Sequence, residues 1–163
     1  MVEVELVGVR VELPGNTPIV LLREMSGARR LLPILIGDAE ARAIVYAVDS
    51  IPTPRPMTHD LLKSVLDELG VTVRQIVVTE LRDRTFYAEL HLERAGTTSI
   101  VSSRPSDAIA LAVRTGTTIF VAESVLDEAG YSEDERPAAE QDEVIAEFQR
   151  FIDSVNPDDF KSQ

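Results

Sequence analysis

Residues 2–13 read VEVELVGVRVEL, and this stretch decides how the fold begins. Apolar and polar side chains alternate along it with a period of two, which is typical of a β-strand with one buried face. The alternation changes phase near Gly8, which predicts a β-bulge or bend there. Residues 14–16 (PGN) form a turn signal and residues 17–25 are again strand-like. The chain is therefore predicted to open with a β-hairpin.

The same criteria assign the rest of the chain to short strands and helices, which predicts an α+β fold with mixed or antiparallel sheets and packed helices. Pro33 lies inside one of the strands and favours an edge position. Asp38 is a candidate N-cap, Gly70 is a candidate C-cap, and Pro105 suits the first position of a helix. The further predicted strands are 30–36, 71–81, 85–94, 97–102 and 117–122, and the predicted helices are 38–49, 59–69, 105–114 and 124–129.

The order strand, strand, strand, helix occurs twice, at residues 2–49 and at residues 71–115. Both helices open with Asp-Ala, at Asp38 and at Asp107. One hypothesis is an internal duplication of a β-β-β-α unit. The alternative is that small helices on sheets favour aspartate at their start and alanine on their packed face.

Charge divides the 163 residues into two parts, predicted as a domain at 1–130 and an acidic linker with a C-terminal helix at 131–163. The first part carries 18 acidic and 13 basic side chains, and the second carries 10 and 3. Residues 140–155 have apolar side chains at helical spacing, which predicts an amphipathic helix that packs on the body or on another subunit. These apolar residues are Val144, Ile145, Phe148, Phe151, Ile152 and Val155.

Composition excludes several classes of function. The chain has no cysteine, so disulfides, thiolate metal sites and cysteine nucleophiles are ruled out. It has no signal-peptide pattern and no run of about 20 apolar residues, so the expected compartment is the cytoplasm and no membrane is expected as a partner. The net charge of −12 and the lack of a basic run count against tight, sequence-independent nucleic-acid binding, although a local basic pocket remains open.

Two helix starts carry candidate chemistry. Residues 55–60 (RPMTHD) place His59 after a proline-rich loop, where it could act as a general acid or base, or as a lone metal ligand beside Asp60. The alternative is a plain helix start in which Thr58 or Asp60 caps and His59 packs. The other histidine, His91, is predicted to face solvent on a strand.

The second helix start lies in residues 102–112 (SSRPSDAIALA). A helix N-terminus favours anions, and the fork of Arg104 adds bidentate recognition of phosphate or carboxylate. Asp107 could hold a hard cation such as Mg²⁺. The alternative is a structural cap in which Asp107 pairs with Arg104 or with the helix dipole.

Four ordered strings, at 35–41 (LIGDAEA), 55–62 (RPMTHDLL), 83–88 (DRTFYA) and 104–112 (RPSDAIALA), make residues 1–130 resemble the bifunctional nuclease domain family. The resemblance implies an α+β fold, self-association as a homodimer or larger homo-oligomer, and nuclease activity on RNA and DNA. The end of the chain also resembles the extension of bacterial members. Ser102 departs from the pattern, because the family often carries an acidic residue there, which is a possible metal ligand in active members.

The enzyme hypothesis is phosphodiester hydrolysis with His59, Asp60, Arg104 and Asp107 as catalytic residues. In this reading Arg104 binds phosphate, His59 is the general acid or base, and Asp107 with Glu40 or Asp60 holds Mg²⁺ or Mn²⁺. The expected substrate-binding residues are Arg55, Thr58 and Ser106.

Two alternatives stay open. The same helix starts could form the pocket of a binding or regulatory module for an anion or a protein partner. They could also serve only the fold, with Arg55 and Arg104 held against Asp60 and Asp107.

Overall fold

The computed structural model describes residues 1–12 and 15–132. The predicted α+β class is confirmed, and every predicted strand and helix within these ranges is present, with ends within two residues of the prediction. The predicted helix at 140–155 lies outside the described residues. The strands are β1 (Val2–Glu12), β2 (Thr17–Glu24), β3 (Leu31–Leu35), β4 (Thr72–Arg82), β5 (Thr85–Arg94), β6 (Thr97–Ser103) and β7 (Ile119–Val121). The helices are α1 (Asp38–Val48), α2 (Thr58–Glu68), α3 (Pro105–Thr115) and α4 (Glu123–Ala129).

All seven strands form one mixed sheet in the order β3-β2-β1-β7-β4-β5-β6. Its two outer thirds are antiparallel meanders, β1-β2-β3 and β4-β5-β6, each followed directly by a helix. Strand β7 lies between them, antiparallel to β1 and parallel to β4. The predicted repeat of connectivity is therefore present, with the two meanders arranged in opposite directions on either side of β7. The helices that follow them, α1 and α3, contact each other.

A single cluster of buried apolar side chains joins the sheet to α1, α3 and α4. Helix α3 is its most extensively buried helix, because Ala108, Ala110 and Ala112 allow close approach to its neighbours and Ile109 and Leu111 fill the space around it. Truncating a fully buried isoleucine or leucine of this cluster to alanine typically costs about 2–5 kcal/mol.

Helix α2 lies apart from this core. Its one buried residue is His59, and its most extensive contact is with α3. Three of its four apolar side chains, Leu61, Leu62 and Val65, are exposed, and only Leu66 packs against the cluster. The position of α2 therefore depends on its contacts with α3. None of the described helices is long and apolar enough to cross a membrane.

Local signals in the sequence are mostly confirmed. The pairing of β1 with β2 shifts register between Leu6 and Gly8, so the predicted bulge is present, and Gly8 has a φ of 149° that favours glycine. Pro33 lies in β3, an edge strand, as predicted. Gly70 follows the end of α2 with a φ of 66°. Pro105 is the first residue of α3.

The predicted N-cap at Asp38 is wrong. Gly37 occupies the cap position in an extended conformation, without a side-chain hydrogen bond, and Asp38 is the first residue of α1. Its carboxylate instead lies in the first helical turn, where a negative charge interacts favourably with the helix dipole.

Candidate functional site

The first turns of α2 and α3 bring His59 and Asp107 together. His59 is the second residue of α2 and Asp107 is the third of α3, 48 positions further along the chain. The Nε2 atom of His59 lies 3.0 Å from Oδ1 of Asp107. Because His59 is only 8% exposed, its ring is held between the helices rather than free in solvent.

Asp107 also binds Arg104 through both carboxylate oxygens. Nε of Arg104 donates to Oδ2 at 2.6 Å, and Nη2 donates to Oδ1 at 3.0 Å. The remaining nitrogen, Nη1, lies 2.8 Å from Oε1 of Glu40 on α1. The Arg104 side chain nevertheless stays 65% exposed. A continuous polar chain therefore runs from His59 through Asp107 and Arg104 to Glu40 and links three helices.

These contacts fix the charges of the cluster. Burial opposes ionisation of Asp107, but hydrogen bonds from Arg104 and His59 outweigh it and hold the pKa of the carboxyl below its ordinary value. The hydrogen bond to Asp107 also raises the pKa of Arg104. At neutral pH the centre of the cluster is therefore an ion pair with one face of its cation open to solvent.

Asp60 faces a different partner. Its Oδ2 accepts from the backbone N–H of Met57 at 2.9 Å, and its Oδ1 lies 2.5 Å from Nε of Arg114. Burial opposes its ionisation, but the hydrogen bonds from Arg114 and Met57 hold the pKa of Asp60 below its usual value. Asp60 therefore ties the start of α2 to α3 and does not join Asp107.

Sequence reasoning missed Arg114. Its side chain is only 6% exposed, and Nη1 donates to the carbonyl of Ala110 at 2.8 Å. The available signal was its setting, since it is the one basic residue within the largely apolar residues 105–115. A lone cation on such a helix predicts a specific acidic partner, because burying it unpaired is costly.

A cleft of about 690 Å³ opens beside this cluster, within the size range of small-ligand sites, roughly 300–1,000 Å³. The first turn of α3 forms one wall through Arg104, Pro105 and Ser106. The turn between β4 and β5 contributes Arg84, the start of β5 contributes Phe86, and the β2 and β3 region contributes apolar side chains. Arg104 thus belongs both to the His59 cluster and to the wall of the cleft.

The other predicted site residues occupy separate positions. Ser106 is 6% exposed and lines the cleft, whereas Thr58 and Arg55 are exposed at the start of α2. The reading that paired Arg55 with Asp60 is wrong, because Arg114 takes that carboxylate. Ser102 is exposed on β6.

The two carboxylates predicted to hold a metal, Glu40 and Asp107, both bind Arg104. Across residues 1–12 and 15–132 no three histidine, aspartate or glutamate side chains are grouped so that they could hold a metal ion. A divalent cation would have to displace the guanidinium of Arg104 to bind both carboxylates. The metal assignment stays a prediction.

Comparison with known proteins identifies the family. A family model for the bifunctional nuclease domain matches residues 20–134, so the chain belongs to this family. "Uncharacterized protein Rv1829" of Mycobacterium tuberculosis is 43% identical over 167 residues, covering 99% of each chain.

Plant proteins match a shorter region. "Bifunctional nuclease 1" of Arabidopsis thaliana is 32% identical over 100 residues, 60% of this chain and 31% of the relative. "Bifunctional nuclease 2" of the same plant is 33% identical over 107 residues, 63% of this chain and 32% of the relative. The similarity therefore covers about a third of each plant protein.

Proposed function

We propose that this protein is a nuclease that hydrolyses phosphodiester bonds in RNA, DNA or both. The observation that carries the proposal is the contact of His59 with Asp107 beside an exposed Arg104 at the wall of a cleft. A proton-exchanging ring, an orienting carboxylate and a phosphate-binding cation are three components that such a reaction uses. Membership of the bifunctional nuclease domain family supports the same conclusion.

Each residue has a distinct role in the proposed reaction. Arg104 binds the scissile phosphate and stabilises the charge that develops on its oxygens. Asp107 accepts a hydrogen bond from Nε2–H of His59 and fixes the ring, which leaves Nδ1 to exchange a proton. Water supplies the attacking oxygen, the bond from phosphorus to the leaving oxygen breaks, and the leaving oxygen takes up a proton.

A divalent metal is a further part of the proposal. Mg²⁺ or Mn²⁺ held by Asp107 and Glu40 would supply additional charge stabilisation at the phosphoryl group. Its binding would compete with Arg104 for both carboxylates, because that side chain already contacts them.

A non-catalytic binding or regulatory module is the second candidate. Two observations favour it: Arg104 already binds two carboxylates, and His59 is 8% exposed. In this function Arg104 and Ser106 bind an anion or an acidic partner in the same cleft, and no bond is broken.

Self-association as a homodimer or larger oligomer is proposed as well, in the cytoplasm. Support comes from exposed apolar side chains outside the core, including Leu61 (57%) and Val65 (45%) on α2 and Ile100 (58%) on edge strand β6. Light scattering over a concentration series tests this proposal, and a constant monomer mass would contradict it.

The activity is tested by cleavage of end-labelled single-stranded RNA and DNA with Mg²⁺, with Mn²⁺ and with EDTA. His59→Ala and Asp107→Ala are compared with wild type and with His91→Ala, which alters the other histidine, on β5. We expect cleavage by wild type and His91→Ala, and a loss of about 100-fold or more in the other two variants. If folded wild type cleaves nothing, the nuclease proposal fails and the binding module takes its place. Cleavage that survives both site variants would place the chemistry elsewhere.

A further inference from the structure

The turn between β4 and β5 contains a strained arginine. Asp83 and Arg84 connect the two strands, and their φ angles are 50° and 61°. Two-residue turns with two positive φ angles favour asparagine, aspartate or glycine first and glycine second. At the second position any residue other than glycine costs free energy, because its Cβ comes too close to the following carbonyl oxygen. Such strain is found at functional sites, and at Arg84 it coincides with a position in the lining of the cleft.

Arg84 lines the cleft and has a free charge. Within the described residues no carboxylate pairs with it, and its side chain is exposed. The two nearby arginines, in contrast, have partners. Arg104 binds Asp107 and Glu40. Arg82 lies near Glu80 and 4.6 Å from the ring centre of Tyr87. Arg84 is therefore the cation of the cleft that needs no rearrangement to receive an anion.

Apolar surface lies beside this cation. Phe86 is partly buried against the core and also lines the cleft, and Leu35 lines it with 62% exposure. A ligand that carries a flat heteroaromatic ring next to a phosphate would contact the apolar surface with its ring and the cation with its phosphate. Single strands offer their base faces to such sites, whereas a duplex keeps its bases stacked and paired.

We propose that the cleft binds an unpaired stretch of nucleic acid, with a phosphate on Arg84 and a base against Phe86. This inference rests on the proposed nuclease function and names its substrate class as single strands. The strand then continues past Arg104, where the His59 cluster begins.

The small number of cations in the cleft sets the expected salt dependence. Each phosphate neutralised on a single strand contributes a slope of roughly −0.7 to log K against log salt. If Arg84 and Arg104 each neutralise one phosphate, log K should fall with log salt with a slope of about −1.4. Removing Arg84 should halve it.

The test is fluorescence anisotropy of the full chain in EDTA, with a short labelled single strand and with its blunt duplex. Arg84→Gly removes the charge and relieves the strained φ, so we expect about tenfold weaker binding of the single strand, with an unfolding midpoint equal to or above that of wild type. Arg29→Gly is the matched control, because Arg29 is exposed, has a φ of 52° and lies outside the cleft lining. It should bind as wild type does.

Phe86 provides an independent arm of the test. Phe86→Leu keeps an apolar side chain in the core but removes the ring, so we expect about fivefold weaker binding or more. Phe86→Tyr keeps the ring and should retain most of the affinity.

The outcomes separate this inference from the nuclease proposal. Equal binding of single strand and duplex, equal affinities of Arg84→Gly and Arg29→Gly, or no binding by wild type would each overturn the inference. If wild type cleaves single strands and duplexes equally well, the nuclease stands and the single-strand preference falls. If single strands bind through Arg84 but are never cleaved, the cleft assignment stands and the nuclease proposal falls.

Discussion

Arg114 and Asp60 join α3 to the first turn of α2, with Nε of Arg114 2.5 Å from Oδ1 of Asp60. The other oxygen of Asp60 accepts the backbone N–H of Met57, so the pair fixes the point where α2 begins. His59 is the neighbour of Asp60 in sequence and lies against Asp107. This partly buried pair therefore positions the histidine without taking part in its hydrogen bond.

Replacing Arg114 by methionine should loosen the start of α2. The change leaves the Asp60 carboxylate without its cation, and removing one partner of a fully buried pair costs about 3–5 kcal/mol. Asp60 has a 37% exposed side chain, so solvent screening reduces the expected loss to about 2 kcal/mol in urea unfolding. Cleavage should fall as well, because His59 loses its fixed position.

Arg42→Met is the control for Arg114→Met, because Arg42 is an exposed cation on α1. Its effect should stay within about 0.5 kcal/mol. Adding Asp60→Asn to Arg114→Met should restore part of the lost stability, since the uncompensated charge is then gone. Equal stabilities of Arg114→Met and wild type would show that the pair does not hold α2.

A second largely shielded arginine, Arg30, anchors α4, with 17% of its side chain exposed. Arg30 lies 2.9 Å from Glu24 and 2.6 Å from both Glu123 and Asp127. Glu24 is 5% exposed, so Arg30→Met should cost about 3 kcal/mol by leaving its charge buried and unpaired. Glu123→Gln and Asp127→Asn should each cost less than about 1 kcal/mol, because these side chains are 58% and 64% exposed. Urea unfolding of the three variants measures the contrast, and equal losses would contradict it.

Stability should fall in acid because several carboxyl pKa values are lowered in the folded state, including those of three carboxyl groups in the ion pairs described above. The hydrogen bond from Arg30 lowers the pKa of Glu24 against the effect of burial, and the pKa values of Asp60 and Asp107 are also lowered. The unfolded chain therefore binds more protons as the pH drops below about 4, and the free energy of unfolding decreases. It should change little from pH 7 to about 5. Urea unfolding across this range measures it, and Glu24→Gln should flatten the acid slope.

Periodicity predicted the strands and helices well because most of them are joined by short turns with glycine or proline and have one clear buried face. It did not predict the order of strands in the sheet. Strand β7 is only three residues long, yet it pairs with both β1 and β4. Such non-local pairing depends on how α1 and α3 pack, which the local pattern of residues does not predict.

The site shows the same division. The polar residues at the helix starts predicted that His59, Arg104 and Asp107 belong to one site, and the structure brings these three side chains together. The partner of Asp60 was not predictable in this way, because Arg114 is 54 positions away and their contact depends on the packing of α2 on α3. The strain at Arg84 was equally hidden, since only the backbone conformation reveals it.

Substitution of Glu40 distinguishes two roles for this residue, holding Arg104 or binding a metal. If its main role is to hold Arg104, then Glu40→Gln removes a negative charge beside the cleft and frees one nitrogen of the guanidinium for phosphate. We expect single strands to bind about two- to threefold more tightly, with anisotropy as the measurement. Glu128→Gln on α4 makes the same change in net charge at an exposed site and should leave binding unchanged. Loss of Mg²⁺-dependent cleavage in Glu40→Gln, without tighter binding, would instead assign Glu40 to a metal.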